Sequence, residues 1–108
     1  MSQRLPPLTA LRAFEAAARL LSFSGAASEL GVTPAALSFQ IKSLEEHFGA
    51  PLFHRHNRAV TLTDGGQALL PGLADGFRSF ERAWQRAQQT KDTNVLTVST
   101  GPAFMSKW

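Results

Sequence analysis

A chain of 108 residues with 44% apolar side chains and a formal net charge of +3 has the size of one domain and can close a modest core without crosslinks, which excludes a disordered or polybasic tail. It holds no cysteine, so a disulfide framework and a thiolate zinc site are excluded. The opening stretch MSQRLPPLTALRAF has no long apolar run after its basic residue; neither a signal peptide nor a transmembrane span is expected, and the expected location is cytoplasmic.

Leu8, Leu11, Phe14, Ala18 and Leu21 recur at helical spacing beyond Pro6 and Pro7, which predicts an amphipathic first helix. Ser22-Phe23-Ser24 interrupts it. Ser24 is placed to cap a second helix from Gly25 to Leu30, since its hydroxyl can accept a free amide of the first turn. Ala26 and Ala27 are small enough for another helix to approach closely, and Gly31 suits the left-handed residue that ends many helices.

Thr33 followed by Pro34 predicts a third helix, with Thr33 as cap and Pro34 at the first helical position, where its missing N–H costs nothing. Leu37, Ile41, Leu44 and Phe48 form its buried stripe and join Leu30 and Val32 in the core. The opposite side carries Ala35, Phe39, Lys42 and Glu46, with Ser38 on the flank. By helical phase Phe39 lies opposite the core stripe, so its ring is expected in solvent. Gly49 ends the helix.

In APLFHRHNRAVTLT, Leu52 and Phe53 precede a polar turn around Asn57. Val60 and Leu62 then alternate with Thr61 and Thr63, so the stretch reads as a hairpin or wing. Its tip carries Arg55 and Arg58 beside His54 and His56 with no acid, a local basic patch that suits phosphate.

Thr63 and Asp64 open a long final helix. Leu69, Leu70, Leu73, Phe77, Phe80, Trp84 and Ala87 recur every three or four residues, a 3.5-residue period. Gly65, Gly66, Pro71, Gly72 and Gly76 are poor helix formers, and Pro71 removes one backbone bond. A helix so weak in propensity gains order from a partner helix, so Leu69, Leu73, Phe77, Phe80 and Trp84 are the expected dimerisation seam. Thr90 to Asn94 reads as a linker and VLTVST as a strand. One strand cannot stand alone, so the chain is expected to stop just inside a second domain.

An enzyme is not expected. The three histidines have no further ligands at metal-site spacing, and Glu45 and Glu46 point about a quarter-turn apart, too divergent for a paired acid and base. No Gly-rich phosphate loop follows a strand. Neither metal nor cofactor is expected. Two readings of the hairpin remain. It lays its third helix in the DNA major groove, or it is an interaction module whose third helix binds protein through the exposed Phe39.

The stretches SFSGAASELGVT, ALSFQIKSLEEHFG and LFHRHNRAVTLTDGG, at these spacings, resemble the N-terminal part of LysR-type transcriptional regulators. The tail VLTVSTGPAFMSKW resembles the opening of that family's effector-binding domain, and among branches the chain is most similar to the glycine-cleavage activator group. The resemblance implies a mainly α winged helix-turn-helix over residues 1–63, a dimerising linker helix over 64–90, and a hinge with the start of an effector-binding domain over 91–108. It implies a bacterial regulator acting at the nucleoid, dimers that pair into tetramers, double-stranded DNA with an interrupted palindrome as partner, and a small-molecule effector for the missing domain. By position, base-reading contacts fall on Thr33, Pro34, Ala35, Ser38 and Phe39, phosphate contacts on Ser24 and Lys42, and wing contacts on Arg55 and Arg58. Pro34 stands where the family often has glutamine, Gly25 where it often has a basic residue, and Phe39 where it often has histidine or arginine. These departures imply a more apolar reading edge.

Overall fold

Pro7 stands at the N-cap of the first helix, α1 (Leu8–Leu20). The helix stops because Leu21 turns left-handed, with φ of 50°, and Ser22 then extends. The computed structural model describes residues 4–57 and 59–100, with side chains to residue 91. After α1 come α2 (Phe23–Leu30), α3 (Pro34–Phe48), β1 (Phe53–His56), β2 (Ala59–Leu62) and α4 (Asp64–Thr100). Two compact units divide this chain, Met1–Asp75 and Gly76–Trp108.

In the first unit α1, α2 and α3 pack on one another. Phe14, Leu37, Ile41 and Leu52 are fully buried at the centre. Ala16, Ala17 and Ala26 are also fully buried, and their small side chains let helices approach closely. The turn between α2 and α3 is three residues long. Gly31 adopts φ of 69° and its N–H donates to the carbonyls of Ala27 and Ser28. The Val32 N–H reaches back to Ala27 O at 3.0 Å, closing the left-handed cap that glycine permits without strain.

The two strands pair antiparallel with Phe53 opposite Leu62 and Arg55 opposite Val60. An isolated two-stranded hairpin is marginal in water; this one is anchored by Phe53. Its ring is buried, 5.4 Å from the Phe14 ring and 5.1 Å from that of Phe23.

The start of α4 is fastened to the wing. The Thr63 N–H donates to Leu52 O at 3.1 Å, and the Thr63 hydroxyl donates to Pro51 O at 2.9 Å. The same hydroxyl oxygen accepts the Gly66 N–H at 3.2 Å.

Several expectations are corrected. The cap of α2 is Ser22, two residues earlier than Ser24: Ser22 is extended and its Oγ accepts the Gly25 N–H at 2.9 Å, while Ser24 lies inside the first turn. Leu8, Leu21, Val32 and Phe48 are exposed. Each sits at a helix end or in a turn, beyond the face covered by neighbouring helices. The expected linker and strand over 90–100 are helical backbone, since α4 continues to Thr100. A helix satisfies its amides within itself, whereas a strand needs a neighbour to pair with.

Candidate nucleic-acid interface

The front of α3 is built by its cap. The Ala36 N–H donates to Thr33 Oγ1 at 3.0 Å, and Pro34 occupies the first turn. This leaves the dipole's positive end and free amides directed outward. Helical phase then separates two faces. Leu37, Ile41 and Leu44 are buried, whereas Pro34, Ala35, Ser38, Phe39 and Lys42 are all exposed. Phe39 is 69% exposed. Lys42 makes no ion pair among the described residues. Apart from Phe48, which is exposed, the expected division of α3 between core and outer face is what the structure shows.

Ser24 and Arg55 are brought to one place. Both line an open cleft of about 280 Å³ between the start of α2 and the wing, together with Ser22, Phe23, Asn57 and Val60. Ser24 is exposed, with its Oγ 3.3 Å from Ser22 Oγ. Arg58 lies outside the described residues.

Arg55 does not project freely. Its guanidinium stands 4.9 Å from the centre of the Phe23 ring, and its Nη2 is 3.6 Å from Glu45 Oε1. Glu45 holds a positioning role that its place in the sequence does not announce. Its other carboxylate oxygen, Oε2, accepts the N–H of Leu52 at 2.9 Å and of Phe53 at 3.3 Å. One side chain of α3 therefore holds the entrance of the wing and its arginine. Nothing in the spacing of Glu45 and Glu46 signals this, because the partners lie seven to ten residues on across a turn.

A second ion network ties α1 to α2. Arg19 Nε donates to Glu15 Oε2 at 2.9 Å and Nη1 to Glu29 Oε1 at 3.1 Å, with a further bond from Nη2 to Glu29 Oε2. The Arg19 hydrogen bond holds the Glu29 carboxyl below its ordinary range.

The expected seam residues separate along α4. Within the first unit, Leu69 and Leu73 are half-buried beside Leu5, Leu11, Phe48 and Leu52 in an apolar groove. In the second unit, Phe77 is buried and meets the Phe80 ring edge-on at 5.8 Å, while Phe80 and Trp84 are exposed. Among the described residues no three His, Asp or Glu side chains cluster to hold a metal, and no helix is long and apolar enough to cross a membrane.

The model of the bacterial regulatory helix-turn-helix proteins of the lysR family matches residues 8–67, which run from α1 through the wing into the first turn of α4. The chain belongs to the lysR family. Among its lysR-family relatives, the glycine cleavage system transcriptional activator of Escherichia coli (strain K12) is 49% identical over 108 residues, all of this chain and 35% of that protein. The HTH-type transcriptional activator AmpR of Pseudomonas aeruginosa is 49% identical over 102 residues, 94% of this chain and 34% of that one. The chain thus spans about a third of the length of these curated relatives. Among solved structures, the BenM_DBD/benA site 1 DNA complex is similar at a TM-score of 0.68 and 28% identity, covering 79% of this chain and 99% of that one. The winged helix-turn-helix with a long following helix expected from the sequence is what the structure shows, and it matches this DNA-bound neighbour.

Proposed function

We propose that this chain is the DNA-reading part of a LysR-type transcriptional regulator that binds double-stranded DNA as a dimer at an interrupted palindrome. The observation that carries the reading is the front of α3: a capped helix start with an exposed non-core face, held in fixed relation to the wing by Glu45. A helix presented this way enters the major groove by its N-terminal end. Thr33, Pro34, Ala35, Ser38 and Phe39 face base edges, and Lys42 and Ser24 meet phosphates. Arg55 and Arg58 bring the wing to the backbone or an adjacent minor groove. Two relatives named as transcriptional activators and a lysR-type neighbour solved with DNA support this reading.

In the same proposal residues 64–90 form the dimerising helix and 91–108 the hinge into an effector-binding domain, which binds the small molecule. The longer protein assembles as a tetramer and works in the cytoplasm at the bacterial nucleoid. It carries no catalytic activity, and needs no cofactor.

The test selects bound sites from a random duplex pool and measures affinity against salt. Expected are a two-fold related half-site pair and a steep fall in affinity as salt rises, because several phosphates are contacted. Ser38→Ala and Arg58→Ala should weaken binding with dimerisation unchanged. Absent or salt-independent DNA binding would favour the interaction-module reading.

A further inference from the structure

The polar groups at the front of the interface are largely committed within the protein. The Thr33 hydroxyl oxygen is held by the Ala36 N–H, and the Ser22 hydroxyl by the Gly25 N–H. Arg55 is engaged by Glu45 and by the Phe23 ring. At the start of α3 the side chains presented outward beside Ser38 and Lys42 are carbon: the Pro34 ring, the Ala35 methyl and the Phe39 ring, each exposed. Phe39 makes no ring–ring contact among the described residues and is 69% exposed, so core packing does not account for an aromatic side chain at that position.

In the major groove, apolar side chains find one apolar feature on the base edges, the C5-methyl group of thymine. Other edges present donors and acceptors, which a phenyl ring would strip of water without replacing their hydrogen bonds. Ala35 and Phe39 are one turn apart, about 6 Å along the helix, so their contacts fall within about two base steps of 3.4 Å each. Ser38 lies between them in sequence on the same outer side and supplies a hydroxyl for a neighbouring edge.

Resting on the DNA-binding reading above, we infer that Phe39 is a specificity-determining residue that reads thymine methyl groups, with Ala35 as its neighbour on the same edge. The substrate class is a half-site with methyl-bearing pyrimidines under the first two turns of α3. The preference is for the methyl itself and not only for an A·T pair.

The experiment uses the duplex selected from the random pool and replaces the half-site thymines singly by deoxyuridine. This removes the methyl and keeps base pairing, the O4 acceptor and the minor groove. Deoxyuridine under Phe39 should weaken binding by about fourfold, equivalent to about 0.8 kcal/mol for one buried methyl-sized group. Thymines elsewhere should be indifferent. Phe39→Ala should abolish the thymine-to-deoxyuridine ratio, and Phe39→Leu should keep part of it. Phe39 is exposed, so both variants should show the unmutated thermal transition. If duplex is bound in a salt-dependent way but deoxyuridine is tolerated everywhere, or Phe39→Ala keeps the ratio, this inference alone falls. If no duplex is bound at any salt, the DNA-binding reading falls with it.

Discussion

Glu45 accepts the backbone N–H of Leu52 at 2.9 Å through a carboxylate whose side chain is only 16% exposed. This bond joins the third helix to the strand pair that follows it. The Phe53 N–H shares the same oxygen. Without Glu45, the amides that lead the chain into the wing would lose their acceptor. Glu45→Ala should therefore cost about 2 kcal/mol, the range for buried groups left unsatisfied. Glu45→Gln should recover most of that, because an amide oxygen still accepts. The Arg55 contact adds little to this sum, since Arg55 is 53% exposed and exposed ion pairs contribute weakly. Urea unfolding of the two variants checks the order; equal loss from both would place the effect in the charge and not in the acceptor.

Two glycines of α4 should respond in opposite directions. A Cβ on Gly66 would stand 2.4 Å from Leu52 O and 2.8 Å from Leu62 Cδ2, and a backbone oxygen cannot give way cheaply. Gly66→Ala should destabilise despite alanine's better helix propensity. A Cβ on Gly72 meets nothing within 4 Å, so Gly72→Ala should stabilise by roughly 0.5–1 kcal/mol. Thermal denaturation of the pair decides it, and a stabilised Gly66→Ala would show that the contact with Leu52 is not held in solution.

The helix caps give a third comparison. Ser22→Ala and Thr33→Ala each remove the acceptor of a first-turn amide and should each cost about 1 kcal/mol. Ser24→Ala removes no cap and should leave stability near unchanged while weakening DNA binding. A stability loss at Ser24 equal to that at Ser22 would restore Ser24 as the cap.

Acid should weaken the bridge between α1 and α2. The Arg19 hydrogen bond holds the Glu29 carboxyl below its ordinary value of 4.5 in the folded chain, opposed in part by desolvation. A carboxyl with a depressed folded pKa contributes stability above its unfolded pKa and loses it as pH falls through the folded value. The Arg19–Glu29 contribution is thus fully present at neutral pH, starts to fall below the ordinary value of 4.5, and is lost as pH passes through the lower folded value. It is small, because the Arg19 and Glu29 side chains are each more than a third exposed and solvent screens such a pair. Glu29→Gln should lower the melting temperature slightly at pH 7, and the difference should shrink steadily as pH falls below 4.5 and the folded carboxyl takes up its proton; a difference that does not shrink in acid would assign the loss to packing.

Assembly is read from the far part of α4. Phe80 and Trp84 are large, apolar and exposed in the single chain, the kind of side chain that dominates an interface once buried. Trp84→Ala should weaken self-association by about thirtyfold, equal to about 2 kcal/mol. Phe77→Ala should do so through its edge-on contact with Phe80. Sedimentation equilibrium measures both. An unmutated chain that stays monomeric at all concentrations would remove residues 64–90 as a dimerising helix.

What was legible in the sequence was local. Thr33-Pro34 announces a capped helix and Gly31 its preceding left-handed turn, because capping and positive φ depend on a residue and its near neighbours. The buried and exposed faces of α3 follow from a 3.6-residue period, and Val60 and Leu62 face inward by strand alternation. The position of the outer edge, with Phe39 exposed, came from the same arithmetic. The tertiary structure decided what depends on distant residues meeting. Glu45 looks like one of two surface acids until Leu52, Phe53 and Arg55 fold back onto it. Gly66 looks like a weak helix former until the Leu52 carbonyl lies where its side chain would be. The sequence points to Ser24 as the cap of α2; the left-handed turn at Leu21 and the extended backbone of Ser22 place the cap at Ser22 instead. Periodicity records which way a side chain faces along its own element, but the hydrogen bonds that set the wing against α3 depend on spatial separations that no spacing along the chain encodes.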